Sequence, residues 1–434
     1  MPFRKLNPLK SVVEDEKQGS NSKHRNGSTT SALLRKQHLT LATTSTKIRL
    51  AILATAMVDA LGGPPEFHKR FSFPLVTSMI PNHTFMLPPG VWTDDTSMTL
   101  CLARSLATYT PKDDSRPSVK RKGGFNEEDQ LRAYADWHIK GVLSAIGRCF
   151  DIGSTILQAL SLYSCSTIDG LSIQDVLFRI EADLSGENCA GNGSLMRILP
   201  VGLAYWQDEK VARAYARRSS MTTHPNLLCQ EACEVWTGAI VQIMQANYSR
   251  DEEFTKLNLI KYIAEFPYTC TKLREALALP TGIPHCPASK DDQESHYWVH
   301  HPILRRISKT PSMKRKGGYS IALPSEDDLP SSGYVLHTLV AALYCFLATE
   351  TFEEGAIMAV NLGSDADTVG AVYGGMAGTW YSGEKGEDDG MFWSSRVRDW
   401  REKLVKRDLV EEIADELAEF SGRIKQENRS SIVS

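Results

Sequence analysis

The sequence predicts an all-α fold, and three features of the 434-residue chain support that prediction. Apolar residues recur at helical spacing through most of the chain after residue 45. Alternating patterns of the kind that predict β-strands are nearly absent. Glycine and proline separate the helical stretches, beginning with Gly62-Gly63-Pro64-Pro65. Together these features predict one body built of many helices.

The helical pattern starts at Thr46, in "TKIRLAILATAMVDALGG", and continues to the last part of the chain. Further helices are predicted at about 96–109, 126–140, 153–163, 194–206, 208–220, 225–247, 252–266, 333–349, 352–361, 367–382, 388–405 and 408–426. One helical domain should therefore fill residues 46–427, with loop insertions at about 110–125 and 281–332. Residues 1–45 are polar and without periodicity, so we expect a disordered basic tail there and a disordered C-terminus at 428–434.

Composition excludes several classes of function. No run of eighteen apolar residues occurs, so no membrane span is expected. Nine cysteines without a CxxC pair indicate reduced thiols inside the cell. The net charge is -3, with a basic start and an acidic remainder, which does not resemble a nucleic-acid-binding domain. We expect a monomer of the cytoplasm, or of the nucleus, with no membrane and no specific nucleic-acid partner.

Two nearly identical segments, "PSVKRKGGF" (117–125) and "PSMKRKGGY" (311–319), lie in the predicted loop insertions. Their lysine and arginine residues are typical of basic patches that meet anionic partners, or of nuclear-localisation signals. Solvated loop insertions with no partner are the favoured interpretation, and two copies do not make a repeat architecture.

Paired carboxylates mark the start of one predicted helix, in "WTDDTSMTLCLARSL" (92–106). Thr93 suits a helix N-cap, and Asp94 and Asp95 in the first turn interact favourably with the helix dipole. Capping alone is therefore one interpretation of this segment. The other is a metal site, which needs a second set of oxygen ligands from elsewhere in the chain.

A second acidic set occurs in "NLGSDADTVGAVYGG" (361–375), where Asp365, Asp367 and Thr368 precede an apolar helix. Burial of so many unpaired carboxylates would be costly. If the two sets converge, cations must offset the repulsion, and oxygen ligands favour Mg²⁺, Mn²⁺ or Ca²⁺. Two ions roughly 3.5–4 Å apart would suit this number of ligands.

Glycines recur every four residues in the helix that follows, at Gly370, Gly374 and Gly378. They predict a stripe along which another backbone approaches closely. Small residues packed in a tight helical bundle would give the same pattern.

The stretch "CAGNGSLMRILPVGL" (189–203) places Gly191, Asn192, Gly193 and Ser194 ahead of a helical run. Backbone N–H groups at such a helix start can bind an anion, although a helix capped by Ser194 explains the pattern as well. His224, in "TTHPN", precedes another helix and suits either a core position or a ligand contact.

These motifs occur in the order seen in the ADP-ribosylglycohydrolase family, which "VDALGGPPE", "WTDDTSM", "GNGSLMRILPVGL", "TTHPN" and "NLGSDADTVGAVYGGMAG" resemble. The resemblance covers about residues 46–383, excepting the loop insertions. It implies a compact multi-helix fold with a dinuclear metal cleft, occupied by two Mg²⁺ ions or by Mn²⁺. It also implies hydrolysis of the bond between ADP-ribose and an acceptor, either a modified protein side chain or a small molecule.

By motif position, the resemblance assigns three groups of site residues. Asp95 and Glu66 would move protons in catalysis, and the glycine-rich loop with His224 would bind the substrate. The implied metal ligands are Thr93, Asp94, Asp95, Asp365, Asp367 and Thr368, and the implied substrate-binding residues are Gly191, Asn192, Gly193, Ser194 and His224.

Two positions depart from the family pattern. Val58 stands where the family usually has glycine, which predicts crowding beside Asp59 on the floor of the site. Ala366 replaces a threonine that is found in vertebrate members, so the acceptor cannot be transferred from those enzymes.

Three functional hypotheses follow. The first is an active ADP-ribosyl hydrolase, because all six implied metal positions carry oxygen donors. The second is a catalytically inactive member that binds ADP-ribose or serves a structural role. The third is a metal-dependent phosphohydrolase, since paired aspartates with Mg²⁺ also suit phosphoryl transfer. The acceptor stays open at this point.

Overall fold

Helices make up nearly all the regular structure in the computed structural model, which describes residues 34–110, 123–249, 253–310, 322–384 and 390–433. In these ranges the only β-structure is three isolated bridges, so the all-α prediction is confirmed. The α-helices of the described ranges are α1 (Thr44–Gly62), α2 (Asp94–Thr108), α3 (Glu127–Lys140), α4 (Ser154–Ile168), α5 (Ile173–Leu184), α6 (Leu199–Ala204), α7 (Glu209–Met221), α8 (Leu227–Ser249), α9 (Lys256–Glu265), α10 (Thr271–Leu277), α11 (Lys290–His300), α12 (Pro302–Lys309), α13 (Val335–Ala348), α14 (Phe352–Val360), α15 (Ala366–Tyr381), α16 (Ser395–Lys403) and α17 (Arg407–Val433).

The centre of the molecule is the pair formed by α1 and α15. Every residue of α15 is buried, as expected for a helix that is apolar on all sides. A Cβ added at Gly370 would lie 2.9 Å from the carbonyl oxygen of Val58, and one at Gly374 would lie 2.7 Å from that of Ala54. At Gly378 it would lie 2.6 Å from the Ala54 Cβ. The glycine stripe therefore allows the close approach that the sequence predicts, and the approaching backbone is α1.

The same close packing joins two helix ends. A Cβ at Gly62, the last residue of α1, would lie 2.5 Å from the Cα of Asp367 in the first turn of α15. The C-terminal end of α1 is thus fixed against the N-terminal end of α15. Asp59 and Asp367, about three hundred residues apart in sequence, are brought to one place.

Several helices lie where the sequence analysis predicts none. The expected loop insertion at 281–332 contains α11 and α12, so that prediction was wrong for residues 290–309. His301 caps α12 by accepting a hydrogen bond from the Ile303 N–H, and Pro302 occupies the first turn. Helices α5 and α10 also lie outside the predicted segments. Most of these four helices are short, and short helices show little periodicity.

The ends of the chain also differ from expectation. Residues 34–45 belong to the fold, because Leu34 is fully buried and His38 forms a bridge with Thr255. The expected disordered tail at 1–45 is therefore wrong for that part, and residues 1–33 lie outside the described ranges. The expected disordered C-terminus at 428–434 is instead the last turns of α17, up to Val433.

Both KRKGG segments lie almost entirely outside the described residues, which leave out 111–122 and 311–321. The described residues all belong to one compact unit. None of the helices described is long and apolar enough to cross a membrane.

Candidate active site

Asp59, near the end of α1, holds the start of α2 in place. Its carboxylate accepts hydrogen bonds from the N–H groups of Thr93 and Thr96, each at 3.0 Å. It also accepts from their hydroxyls, at 3.0 Å and 2.5 Å. Because Asp59 orients Thr93, it also fixes the direction of the two aspartates that follow.

The two predicted acidic segments meet. The hydroxyl of Thr368, in α15, donates to Asp95 Oδ2 at 3.3 Å, and that of Thr93 donates to the same oxygen at 3.0 Å. Carboxylate oxygens of Asp59, Asp95 and Asp367 lie within 4.8 Å of one another. The convergence on which the metal hypothesis depends is therefore present.

A second acidic group shares one member with the first. Oxygens of Glu66, Asp151 and Asp367 also lie within 4.8 Å of one another. Burial, followed by the charges of Asp367, Asp151 and Asp365, raises the pKa of Glu66 far above its usual range, which favours the protonated carboxyl. Asp367 belongs to both groups.

Burial and mutual repulsion govern the electrostatics of these groups. Burial raises the pKa of Asp59 to about 7, even though four hydrogen bonds oppose the rise. Burial raises the pKa of Asp151 to about 6, with the Asp365 charge adding to the effect. Burial, followed by the neighbouring carboxylates, also raises the pKa of Asp94, Asp95 and Asp367 well above the usual range. The ionised form of each of these carboxyl groups is therefore destabilised when no counter-charge is present.

The donor set fits hard divalent cations. Asp95 Oδ1, Glu66 Oε2 and Asp151 Oδ2 are buried and have no hydrogen-bond partner among the residues that the structure describes. Buried carboxylate oxygens without partners are costly, whereas an ion such as Mg²⁺ or Mn²⁺ would satisfy them. Thr93 and Thr368, whose hydroxyls meet at Asp95, add two neutral oxygen donors to the set.

A short antiparallel contact holds the loop that carries Glu66. The N–H of Phe67 donates to the Ser364 carbonyl at 2.7 Å, and the N–H of Ser364 donates to the His68 carbonyl at 2.8 Å. Gly363 has a φ of +69°, and a Cβ there would lie 2.6 Å from the His68 carbonyl oxygen. The turn before α15 therefore fixes Glu66 next to Asp367.

Arg70 ties this loop to the 324–331 segment. Its buried guanidinium donates to the carbonyls of Pro324, Leu329 and Leu362 at 2.6–2.9 Å. The carbonyl of Ser331 in turn accepts from the N–H of Asp365 at 2.9 Å. The end of the expected 281–332 insertion thus supports the acidic site.

The glycine-rich loop lies beside Asp365. The side-chain amide of Asn192 donates to Asp365 Oδ2 at 2.5 Å and to the Thr338 hydroxyl at 2.8 Å. A Cβ at Gly193 would lie 2.8 Å from His224 Cε1, so the loop and the imidazole are in direct contact. Burial lowers the pKa of His224 to about 3, which keeps the ring neutral near pH 7.

These residues surround a cleft of about 840 Å³. Most of the predicted site residues line it, namely Glu66, Asp94, Gly191, Asn192, Gly193, His224, Asp365, Asp367 and Thr368. Thr93, Asp95 and Ser194 lie behind its wall. The Ser194 hydroxyl accepts hydrogen bonds from Ser220 and Cys233 instead of facing the cleft.

The sequence analysis missed Asp151 and placed Asp59 on the floor of the site without giving it a role. Asp151 has a left-handed backbone, with a φ of 55°, just before α4. An Asp-x-Gly turn ahead of a helix was the available signal for it. For Asp59, the signal was a carboxylate within an otherwise apolar helix. Val58 does not line the cleft and packs against Gly370, so the predicted crowding of the floor is not observed.

Comparisons with known proteins agree with this geometry. ADP-ribosylarginine hydrolases of Serratia proteamaculans and Pseudomonas putida are 26% and 27% identical to the chain. The alignments cover 86% and 87% of this chain and 78% and 79% of those proteins. A solved structure, an ADP-ribosylglycohydrolase-related protein complex, is 29% identical with a TM-score of 0.53, over 87% of this chain and 99% of that one. Residues 40–426 match the sequence profile described as ADP-ribosylglycohydrolase, and the chain therefore belongs to the ADP-ribosylglycohydrolase family.

Proposed function

We propose that this protein uses two divalent cations, Mg²⁺ or alternatively Mn²⁺, to hydrolyse the glycosidic bond between ADP-ribose and an acceptor. The observation that carries the proposal is the sharing of Asp367 by two groups of buried carboxylates at one cleft. The proposed ligands are Asp94, Asp95, Asp365 and Asp367, with the hydroxyls of Thr93 and Thr368. Asp59 positions this set through its hydrogen bonds to Thr93 and Thr96.

Hydrolysis adds water across the bond, so that hydroxide joins the ribose anomeric carbon and a proton joins the departing acceptor. The bound cations would neutralise the carboxylates and supply Lewis acidity beside the ribose. Glu66 and Asp151, whose carboxyl oxygens lie within 4.8 Å of each other at the cleft, are placed to take a proton from water and return one to the acceptor. Asp95 lies behind the wall, which favours a role as ligand over its predicted catalytic role.

The glycine-rich loop supplies the rest of the binding site. Gly191, Asn192 and Gly193 border the cleft next to His224, where backbone N–H groups suit a diphosphate. The neutral imidazole of His224 contributes a hydrogen-bonding group without a charge. This part of the site accounts for recognition of ADP-ribose, as distinct from a simple sugar.

Arginine is the acceptor that we propose, because two relatives that align along most of this chain are named ADP-ribosylarginine hydrolases. The substrate would be an ADP-ribosylated protein or small molecule. The enzyme would act as a monomer in the cytoplasm or nucleus. A panel of ADP-ribosylated arginine, serine and polymer substrates, assayed by liberated ADP-ribose, tests the choice of acceptor.

The activity itself is tested by metal removal and by Asp365→Ala. Either change should abolish the release of intact ADP-ribose. Asp183→Asn is the matched control, because Asp183 is an exposed carboxylate on α5 away from the cleft. Unchanged turnover after complete chelation would contradict the proposal. AMP or phosphate as product would favour a phosphohydrolase, and ADP-ribose binding without turnover on any acceptor would favour an inactive binding protein.

A further inference from the structure

Aromatic rings form a chain beside the cleft. The ring centroids of Phe67 and Phe85 are 6.1 Å apart, and those of Phe85 and Phe150 are 5.5 Å apart, both in edge-to-face contact. Met86 follows Phe85 and is 85% exposed, and Phe67 is 63% exposed. These four residues are called the aromatic rim below. Exposed apolar groups in one continuous patch are typical of an interaction site.

The backbone holds part of this rim in an unfavourable conformation. Phe67 has a φ of 62° and Met86 a φ of 57°, in the left-handed region that large side chains rarely adopt. Such a backbone conformation is strained, and neither side chain is buried in return. Packing within the fold therefore does not explain why large apolar residues occupy these two positions.

The rim is anchored rigidly to the acidic site. Asn82 and Leu87 pair across a tight turn that carries Phe85 and Met86. The Asn82 side-chain amide donates to the Gly63 carbonyl at 2.9 Å, just past the end of α1. The turn is thus fixed to the helix that carries Asp59, and the rim has a defined position relative to the carboxylates.

The rim reaches the cleft through Phe67, which lines it together with Glu66 and Asp151. Phe67 directly follows Glu66, and Phe150 directly precedes Asp151. Farther along, Ile156 reaches the glycine-rich loop, where its Cδ1 would lie 2.8 Å from a Cβ at Gly193. The rim, the carboxylates and the glycine-rich loop therefore follow one another along the cleft in that order. ADP-ribose bound with its diphosphate on that loop and its scissile bond at the carboxylates directs the acceptor toward the rim.

We infer that the aromatic rim docks the polypeptide that carries the ADP-ribose. The substrates are then modified proteins with an apolar residue close to the modified side chain, and free nucleotides or small metabolites are poorer substrates. This inference rests on the proposed function, and it identifies which class of acceptor the cleft selects.

The test uses Met86→Asn, because asparagine adopts a left-handed backbone more readily than methionine and the turn should fold at least as well. Two substrates are compared, an ADP-ribosylated protein and the ADP-ribosylated amino acid released from it by exhaustive proteolysis. For Met86→Asn and for Phe67→Asn/Met86→Asn, kcat/KM on the intact protein should fall by about tenfold or more, as expected when buried apolar contacts are lost. For Met86→Asn, kcat/KM on the free amino acid should stay unchanged.

Phe178→Asn is the matched control, since Phe178 is a 72% exposed aromatic residue on α5 outside the cleft, and it should leave both substrates unaffected. Equal losses on both substrates would overturn the docking inference, since the rim would then contact the ADP-ribose itself. Unchanged kcat/KM values on both substrates would also overturn it, while leaving the hydrolase activity intact. A wild-type protein that releases ADP-ribose from neither substrate would overturn the inference together with the proposed function.

Discussion

At the scale of single residues, the site depends on side chains that are held without freedom to move. Asp59 accepts four hydrogen bonds, and the Asn192 amide is divided between Asp365 and Thr338. Arg197 is fully buried and donates to the Gly193 carbonyl at 2.8 Å and to the Thr223 hydroxyl at 2.7 Å. The glycine-rich loop is therefore fixed from behind before any substrate enters.

Gly193→Ala should reduce substrate affinity because its new methyl group would lie 2.8 Å from both His224 Cε1 and Ile156 Cδ1. We expect destabilisation of about 1–3 kcal/mol from this overpacking. Affinity for ADP-ribose should fall by about tenfold as His224 is displaced. Calorimetric titration with ADP-ribose and urea unfolding measure the two effects.

The control for this change is Gly186→Ala, since a Cβ at Gly186 would meet nothing within 4 Å. Its φ of -65° is also compatible with alanine. An unaltered ADP-ribose affinity in Gly193→Ala would show that the loop does not contact the ligand.

Sequence alone located most of these residues but not their orientations. Paired motifs indicated Thr93, Asp94, Asp365 and Asp367, because several carboxylates at two helix starts are unusual. Asp151 was missed because one aspartate before a glycine is common in turns. No pattern in the sequence distinguishes Asp95, which lies behind the wall, from Asp94, which lines the cleft.

At the scale of helices, the contact between α1 and α15 sets the distance between the two sets of ligands. Glycines on α15 leave room for the backbone of α1, whose Val58 and Ala54 carbonyl oxygens lie 2.9 Å and 2.7 Å from where a Cβ would stand at Gly370 and Gly374. The C-terminal end of α1 then meets the N-terminal end of α15. Carboxylates at that N-terminus gain from the helix dipole, which offsets part of their repulsion.

Gly374→Ala should separate these helices, since its Cβ would lie 2.7 Å from the Ala54 carbonyl oxygen. That neighbour is backbone and cannot rotate away, so we expect a loss of about 3 kcal/mol in the free energy of unfolding. Hydrolase activity should fall with it, because the separation moves Asp367 away from Asp59. Urea unfolding and the steady-state rate measure both consequences.

Gly422→Ala gives the matched comparison in α17, where a Cβ meets nothing within 4 Å. Alanine there should stabilise the protein by about 0.5–1 kcal/mol through helix propensity. If Gly374→Ala were equally harmless, the interpretation of the glycine stripe would be wrong.

His301, which caps α12, should make the free energy of unfolding depend on pH. Burial lowers its pKa to about 4, against about 6.5 in an unfolded chain. As the pH falls from about 6.5 to about 4, the unfolded state binds a proton that the folded state does not. The stability that this residue contributes is therefore complete above about pH 6.5 and is lost below it, by about 3 kcal/mol in total.

His301→Asn keeps a side chain that can cap α12 but removes the titrating ring. Urea midpoints at pH 7.5 and pH 4.5 should therefore differ less in the variant than in the wild type. At pH 7.5 the variant should be less stable by about 1 kcal/mol, because it loses the 2.8 Å hydrogen bond to the Leu277 carbonyl. Identical pH dependence in the two proteins would exclude His301 as the titrating group.

Long amphipathic or apolar helices could be predicted from the sequence, as α8 and α13 show by matching expectation closely. Of the predicted helix at 194–206, residues 194–197 form turns, and α6 covers only Leu199–Ala204. The backbone conformation of residues 193–197 is determined instead by contacts with His224 and with the Arg197 side chain. That outcome depends on tertiary contacts which local periodicity does not contain.

At the scale of the whole molecule, metal binding and folding are linked. The carboxylates come from α1, the loop after it, α2, the turn before α4, and α15. Without cations these groups repel one another in a buried place, which destabilises the folded state. A ligand present at a hundred times its dissociation constant would stabilise that state by about 2.7 kcal/mol.

Asp367→Asn should therefore have opposite effects with and without metal. In a chelator, loss of one buried carboxylate should raise the free energy of unfolding by about 1–2 kcal/mol, because repulsion falls. With Mg²⁺ or Mn²⁺ present, the variant should show little of the metal-dependent rise in melting temperature that the wild type shows. Thermal unfolding of both proteins under the two conditions makes the measurement, and an equal metal-dependent rise in both would contradict a bridging role for Asp367.

The pairing of α1 with α15 also has a consequence for biosynthesis. A ribosome makes Asp59 early, yet Asp367 and Thr368 emerge only after most of the polypeptide has been translated. A nascent chain that ends before α15 therefore lacks part of the set of oxygen donors. A cation that needs the full set of donors would therefore bind only late in synthesis, once α15 has packed against α1.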